Sequence, residues 1–123
     1  MEYESATTIP VPPDRLYQAI SDAGNLSKLI PALTSVRRSD PKHVEVTGKY
    51  AGHRQQGSAW LRTDDAVRRV EWGSDAHPYR GSLQVDPDGA ESRLTLHLTT
   101  SQVEDIEEYV MTTFETIRDE FSD

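Results

Sequence analysis

The chain has 123 residues, with 13 basic and 21 acidic side chains, a net charge of −8 and no cysteine. This length suits one domain, 1–123, with one core, because halves of it would be too small to fold without staples. Disulfides, thiolate metal sites and cysteine nucleophiles are excluded, and the acidic balance argues against nucleic-acid binding, which needs a basic footprint.

Residues Glu2 to Ile9 are rich in Tyr, Thr and Ile and predict a strand that Pro10 stops. Val11-Pro12-Pro13-Asp14 opens a helix, since proline suits a helix entry where no backbone N–H is needed. Leu16, Tyr17, Ala19 and Ile20 give that helix an apolar stripe, and Ser21-Asp22-Ala23-Gly24 ends it. Asn25 is placed to cap a second short helix through Leu26, Leu29 and Ile30, closed by Pro31.

The period then changes from helical to two. Leu33 to Arg38 predicts a short strand, and Val44 and Val46 alternate with polar residues in the next. Gly52 and Gly57 mark a turn or bulge before the run through Ala59, Trp60 and Leu61, and Thr63-Asp64-Asp65 predicts a turn. From Val67 to Gly73, Val70 and Trp72 fall on one face, with Arg69 and Glu71 on the other. Tyr79, Gly81, Leu83 and Val85 repeat the pattern. Asp86-Pro87-Asp88-Gly89 is a hairpin turn signal, and Leu94, Leu96 and Leu98 alternate with polar residues after it.

The final segment is helical. Val103, Ile106, Val110, Phe114, Ile117 and Phe121 form one stripe, and Ser101 with Glu104 makes a capping box. From Gln102 to Asp123 there are eight acidic residues and one basic residue, Arg118, so the opposite helix face is acidic. The order β-α-α-β-β-β-β-β-β-α predicts an α+β architecture: an antiparallel sheet with one face covered by the long helix.

The opening segment from Tyr3 to Asp22 is similar to that of the START-like (SRPBCC, Bet v 1-like helix-grip) superfamily, where a strand runs into a Pro-x-x-x-(Val/Leu)-aromatic helix ending near Ser/Thr-Asp. Arg69-Val-Glu-Trp72, Pro78-Tyr-Arg-Gly81 and Asp86-Pro-Asp-Gly89 resemble its central hairpins, and the long last helix matches as well. The resemblance covers essentially the whole chain and is nearest to the polyketide cyclase/dehydrase-like branch of bacterial proteins. It implies a curved antiparallel sheet of about seven strands around the C-terminal helix, and a cavity between them for a lipid, a polyketide or a similar molecule. The family has no shared catalytic motif to carry over, and the position where many members place a tryptophan reads Leu29-Ile30-Pro31 here.

Several residues bear on chemistry in their own right. None of the histidines (His43, His53, His77, His97) pairs at metal-binding helical spacing, so no metal is expected. His97 alternates outward, while His53 and His77 fall in loops near strand ends where a cavity mouth would lie. No nucleophile elbow, phosphate loop or dinucleotide fingerprint is present, and no cofactor is expected. The aromatic residues form the better lead. Trp72 and Tyr79 belong to apolar faces of successive strands, Leu83 shares the face of Tyr79, and the rings would meet Ile106, Val110 and Phe114, with Tyr109 and Met111 flanking the helix stripe as candidate cavity sides. Trp60 joins this candidate ligand-binding set with its face undecided between the alternations of Ala59/Leu61 and Ser58/Arg62. Arg69 and Arg80 alternate outward.

The expected function is binding or carriage of a hydrophobic or aromatic small molecule. A cyclase/dehydrase-type enzyme, with catalytic residues unassigned, and a ligand-free interaction module using the acidic helix are the alternatives. From the absence of a signal peptide or an apolar span follows the expectation of a cytoplasmic protein with no stable membrane insertion, while the sequence leaves the oligomeric state open between monomer and homodimer.

Overall fold

The computed structural model describes residues 2–29, 33–50, 53–74, 80–100 and 106–121. Seven strands, β1 (Glu2–Ile9), β2 (Leu33–Asp40), β3 (His43–Tyr50), β4 (His53–Asp64), β5 (Arg69–Gly73), β6 (Arg80–Asp88) and β7 (Glu91–Thr99), form one sheet in the order β1-β7-β6-β5-β4-β3-β2. Every neighbouring pair is antiparallel. Three helices, α1 (Pro13–Ile20), α2 (Ala23–Leu29) and α3 (Ile106–Glu120), complete the α+β arrangement expected from the element order.

Period-two alternation divides the sheet into two chemically different faces. Leu61, Val70, Leu83, Val85, Leu94, Leu96 and Leu98 point to an inner face and are buried with Val110, Phe114 and Ile117 of α3. Leu16, Tyr17 and Ile20 of α1 belong to the same core. Glu107, Glu108, Met111, Glu115, Asp119 and Glu120 leave the other side of α3 exposed, as the acidic patterning predicts.

The chain reversal between β1 and α1 is tied down locally. The Val11 N–H donates to the Ile9 carbonyl at 2.8 Å. The fully buried Ser92 hydroxyl donates to the Val11 carbonyl at 2.6 Å, which satisfies a polar group the core would otherwise penalise. Two residues before Ile9 on β1, the Thr7 hydroxyl accepts a hydrogen bond from the Arg118 guanidinium of α3 at 2.5 Å, and the Arg15 guanidinium of α1 lies 5.8 Å from the Phe121 ring centre.

Three local expectations are corrected. The second helix begins at Ala23, and its cap is Asp22, whose carboxylate accepts the Gly24 N–H at 2.9 Å. Asn25 sits inside that helix and donates instead to the Ala19 carbonyl at 3.4 Å. The turn expected at Thr63-Asp64-Asp65 also moves on: β4 continues until Asp64 pairs with Arg69, and the connection is formed by residues 65–68. His53, expected in a loop, begins β4. The capping box at Ser101 and Glu104, Val103, Pro31 and His77 lie outside the described residues.

The core makes a direct prediction. Phe114 is 2 % exposed and is among the largest buried side chains. Phe114→Ala should lower the unfolding free energy by about 3–5 kcal/mol, read from denaturant midpoints at an unchanged transition slope, whereas the exposed Met111→Ala should change it little.

Candidate functional site

The inner face is not covered evenly. Under α1 and the second half of α3, the residues Leu83, Val85, Leu94, Leu96, Phe114 and Ile117 are almost fully buried. On β2–β5 and at the start of α3, half-buried residues (Val36, Val46, Ala59, Trp72, Ile106 and Tyr109) that pack against the core are interspersed with the fully buried Val44, Leu61 and Val70. These half-buried side chains leave some apolar surface accessible on the β2–β5 side of the sheet–helix space, as Tyr3, Ala19 and Phe121 do elsewhere.

Trp72 is seated by a missing side chain. It pairs across β5–β6 with Gly81, and a Cβ built on Gly81 would lie 2.6 Å from Trp72 Cζ2 and 2.7 Å from Leu98 Cδ2. Only glycine leaves room for the indole to lie flat across β6, a cross-strand aromatic–glycine pairing. The same device recurs on the opposite face, where Trp60 pairs with Gly73 and a Cβ there would lie 2.5 Å from Trp60 Cζ2.

The sequence-predicted residues thus divide. Trp72, Leu83, Val110 and Phe114 share the inner face and one core, and Tyr109 is half-buried against that core. Trp60 is not with them: Leu61 takes the inner position, so Trp60 points to the outer face, where the Arg62 guanidinium lies 5.7 Å from its ring centre. Tyr79 lies outside the described residues. Arg69, Arg80 and His97 face outward, as their alternation predicts.

On the outer face Arg62 and Arg69 both pair with Glu71, Arg69 at 3.5 Å. The hydrogen bond from Arg62 is the main reason the Glu71 carboxyl is held below its ordinary range. Arg69 also donates to Gln84 Oε1 at 2.9 Å, and Gln84 donates to Asp86 at 3.2 Å. A salt-bridge and amide network therefore neutralises one part of this face.

A further polar link was missed by sequence reasoning. The Tyr17 hydroxyl of α1 donates to Asp65 at 2.5 Å, and Arg68 Nε pairs with Asp14 at 2.8 Å. The 65–68 turn is thereby clamped to α1. Arg68 adopts φ 53°, and its carbonyl accepts the Val85 N–H at 2.9 Å. A left-handed backbone at a non-glycine residue costs about 1–2 kcal/mol, which the ion pair and backbone bond offset. No residue type in Ala66-Val67-Arg68 announces that conformation.

This geometry can be tested at two points. Gly81→Ala should destabilise the fold by about 1–3 kcal/mol and change Trp72 emission, because backbone or indole must move. Burial, reinforced by the Asp65 hydrogen bond, raises the Tyr17 hydroxyl from its ordinary 10.0 to about 12. The folded protein then keeps this proton longer than the unfolded chain, so stability is complete below pH 10 and falls as the pH rises through 12. Melting curves across that window should show the decline, and Tyr17→Phe should flatten it while lowering the melting temperature at neutral pH.

The profile of the family described as polyketide cyclase/dehydrase and lipid transport matches residues 1–116. No curated protein matches the sequence. Among solved structures, the ZhuI aromatase/cyclase from Streptomyces sp. R1128 is similar, with TM-score 0.81 at 14% identity over 98% of this chain and 92% of that one. The protein TTHA0849 from Thermus thermophilus has TM-score 0.79 at 19% identity, covering 97% and 95%. A START superfamily protein from Mycobacterium smegmatis has TM-score 0.70 at 12% identity, covering 96% and 92%. These likenesses establish the START-like helix-grip fold, and the profile match extends over nearly the whole chain. The chain belongs to the polyketide cyclase/dehydrase and lipid transport family.

Proposed function

We propose that this protein binds a hydrophobic or aromatic small molecule between the inner sheet face and the first half of α3. The observation that carries the reading is the uneven burial of the inner face. Val36, Val46, Ala59, Trp72, Ile106 and Tyr109 are half-buried on β2–β5 and the first half of α3, next to the fully buried Val44, Leu61 and Val70. Apolar surface in that state gains about 25 cal/mol for each Å² that a ligand covers. Trp72 and Tyr109 add rings with a polar handle, the usual composition of a small-molecule pocket. Leu83, Val110 and Phe114, in the closed core, would back the site rather than line it, and Tyr79 is retained as a candidate contact on its sequence position alone.

The family and the aromatase/cyclase neighbour support the ligand class: lipids, polyketides or molecules of similar shape. Binding is favoured over cyclisation by the polarity of the interior. Among the described residues, the buried polar side chains are Thr47, Ser92, Thr100 and Thr113, none of which is an acid or base near neutral pH. The buried Tyr17 is engaged with Asp65 and holds its proton up to about pH 12, which makes it a poor proton shuttle at neutral pH.

The test is a melting-temperature titration with fatty acids, flavonoids, quinones and polyketide-like aromatics. A ligand that binds only the folded state adds about 2.7 kcal/mol at a concentration a hundredfold above its dissociation constant. At least one class should raise the melting temperature saturably and shift Trp emission, and Trp72→Ala should weaken that ligand by tenfold or more. A panel in which no compound moves either signal contradicts the reading.

A further inference from the structure

We infer that the outer face of the sheet carries a second, separate binding site, for a planar aromatic carboxylate. A groove of about 700 Å³ crosses this face, on the side of the sheet away from α3. It lies within the size range of small-molecule pockets.

The register explains its layout. Trp60, Gly73 and Arg80 form one row across β4, β5 and β6. Strands are about 4.8 Å apart, so the backbones of Trp60 and Arg80 stand roughly 10 Å apart. With no side chain at Gly73, the Trp60 indole lies across β5 toward Arg80. Ser82 follows Arg80 on the same side of β6, with His97 directly opposite it on β7. An aromatic wall, a guanidinium, a hydroxyl and an imidazole therefore converge on one part of the groove.

The charges of the groove are unevenly committed. Arg62 and Arg69 are bound to Glu71, and Arg69 also engages Gln84, which bonds Asp86. Arg80 is exposed and has no hydrogen-bond or ion-pair partner among the described residues. Three arginines and three carboxylates, Glu4, Glu71 and Asp86, line the groove, and His97 lies 4.0 Å from Glu2, so Arg80 is the cation there that no acid engages among the described residues. Glu4, opposite His97 on β1, bounds the far side and repels an anion toward Arg80. A guanidinium matches a carboxylate with two parallel hydrogen bonds, while an indole face takes the attached ring. Arg62 lies 5.7 Å from the Trp60 ring centre but is paired with Glu71, which leaves Arg80 as the anion anchor.

The site lies on the opposite side of the sheet from the cavity proposed above, so either reading can fail without the other. The experiment uses the wild-type protein and its two tryptophan indole N–H resonances, assigned with Trp60→Phe. The probes are 2-naphthoate and its neutral isostere naphthalene-2-carboxamide. The Trp60 resonance should shift saturably with naphthoate and respond to the carboxamide about tenfold more weakly. Arg80→Ala, a change at an exposed residue, should abolish that difference. The inference is overturned if the Trp60 resonance stays fixed, including when only Trp72 responds. It is also overturned if acid and amide bind equally, or if Arg80→Ala leaves the preference intact.

Discussion

Six interstrand spacings separate β1 from β2 across the sheet, about 29 Å at roughly 4.8 Å each. A helix with its side chains is about 10 Å across, and 15 residues of it reach about 22 Å. One such helix cannot cover an apolar sheet face of that width. The sequence adds α1 and α2, with α1 packing its stripe over β6 and β7. Complete burial is accordingly found where helices and the central strands coincide. On β4, β3 and β2, half-buried Ala59, Val46 and Val36 stand beside the buried Leu61 and Val44. The ligand space proposed above rests on this shortage of cover, because the same residues otherwise hold apolar surface against water.

The two tryptophans illustrate how one sheet serves two environments. Each lies over a glycine on the next strand, Trp72 over Gly81 inside and Trp60 over Gly73 outside. Inside, the indole joins leucines and valines. Outside, it joins arginines and acids that spend most of their charge on one another. The glycines thus do more than relax the backbone: they decide where a large flat ring can lie, and with it which surface each side of the sheet offers a ligand.

Much of this is legible in the residue pattern. Alternation at Val70/Trp72, Leu83/Val85 and Leu94/Leu96/Leu98 predicts strands and the correct inner set, since a one-residue slip would expose every leucine. The stripe Val110, Phe114, Ile117 predicts the buried side of α3. Trp60 is not decidable in the same way, because Ala59-Trp60-Leu61 is apolar throughout and supports either face. Continuous pairing of β4 to Asp64, with Leu61 inward and Arg62 outward, resolves it. The clamp between α1 and the 65–68 turn is invisible for a different reason: Tyr17 and Asp65 are 48 residues apart, and nothing local in either segment signals the other. The half-buried end of the inner face is equally hidden, because periodicity states which side a residue faces and says nothing about how fully that side is covered.

The central claim is that the space beside Val36, Val46, Ala59 and Trp72 is open to apolar guests, and xenon tests it without knowledge of the natural ligand. Xenon enters apolar cavities and disturbs the methyl groups that line them. Methyl spectra recorded under increasing xenon pressure should show saturable shifts for Val36, Val46 and Ala59, while Leu94 and Ile117, in the closed part of the core, stay in place. Unmoved signals at all three of those residues would mean that the inner face is filled, and would contradict the account.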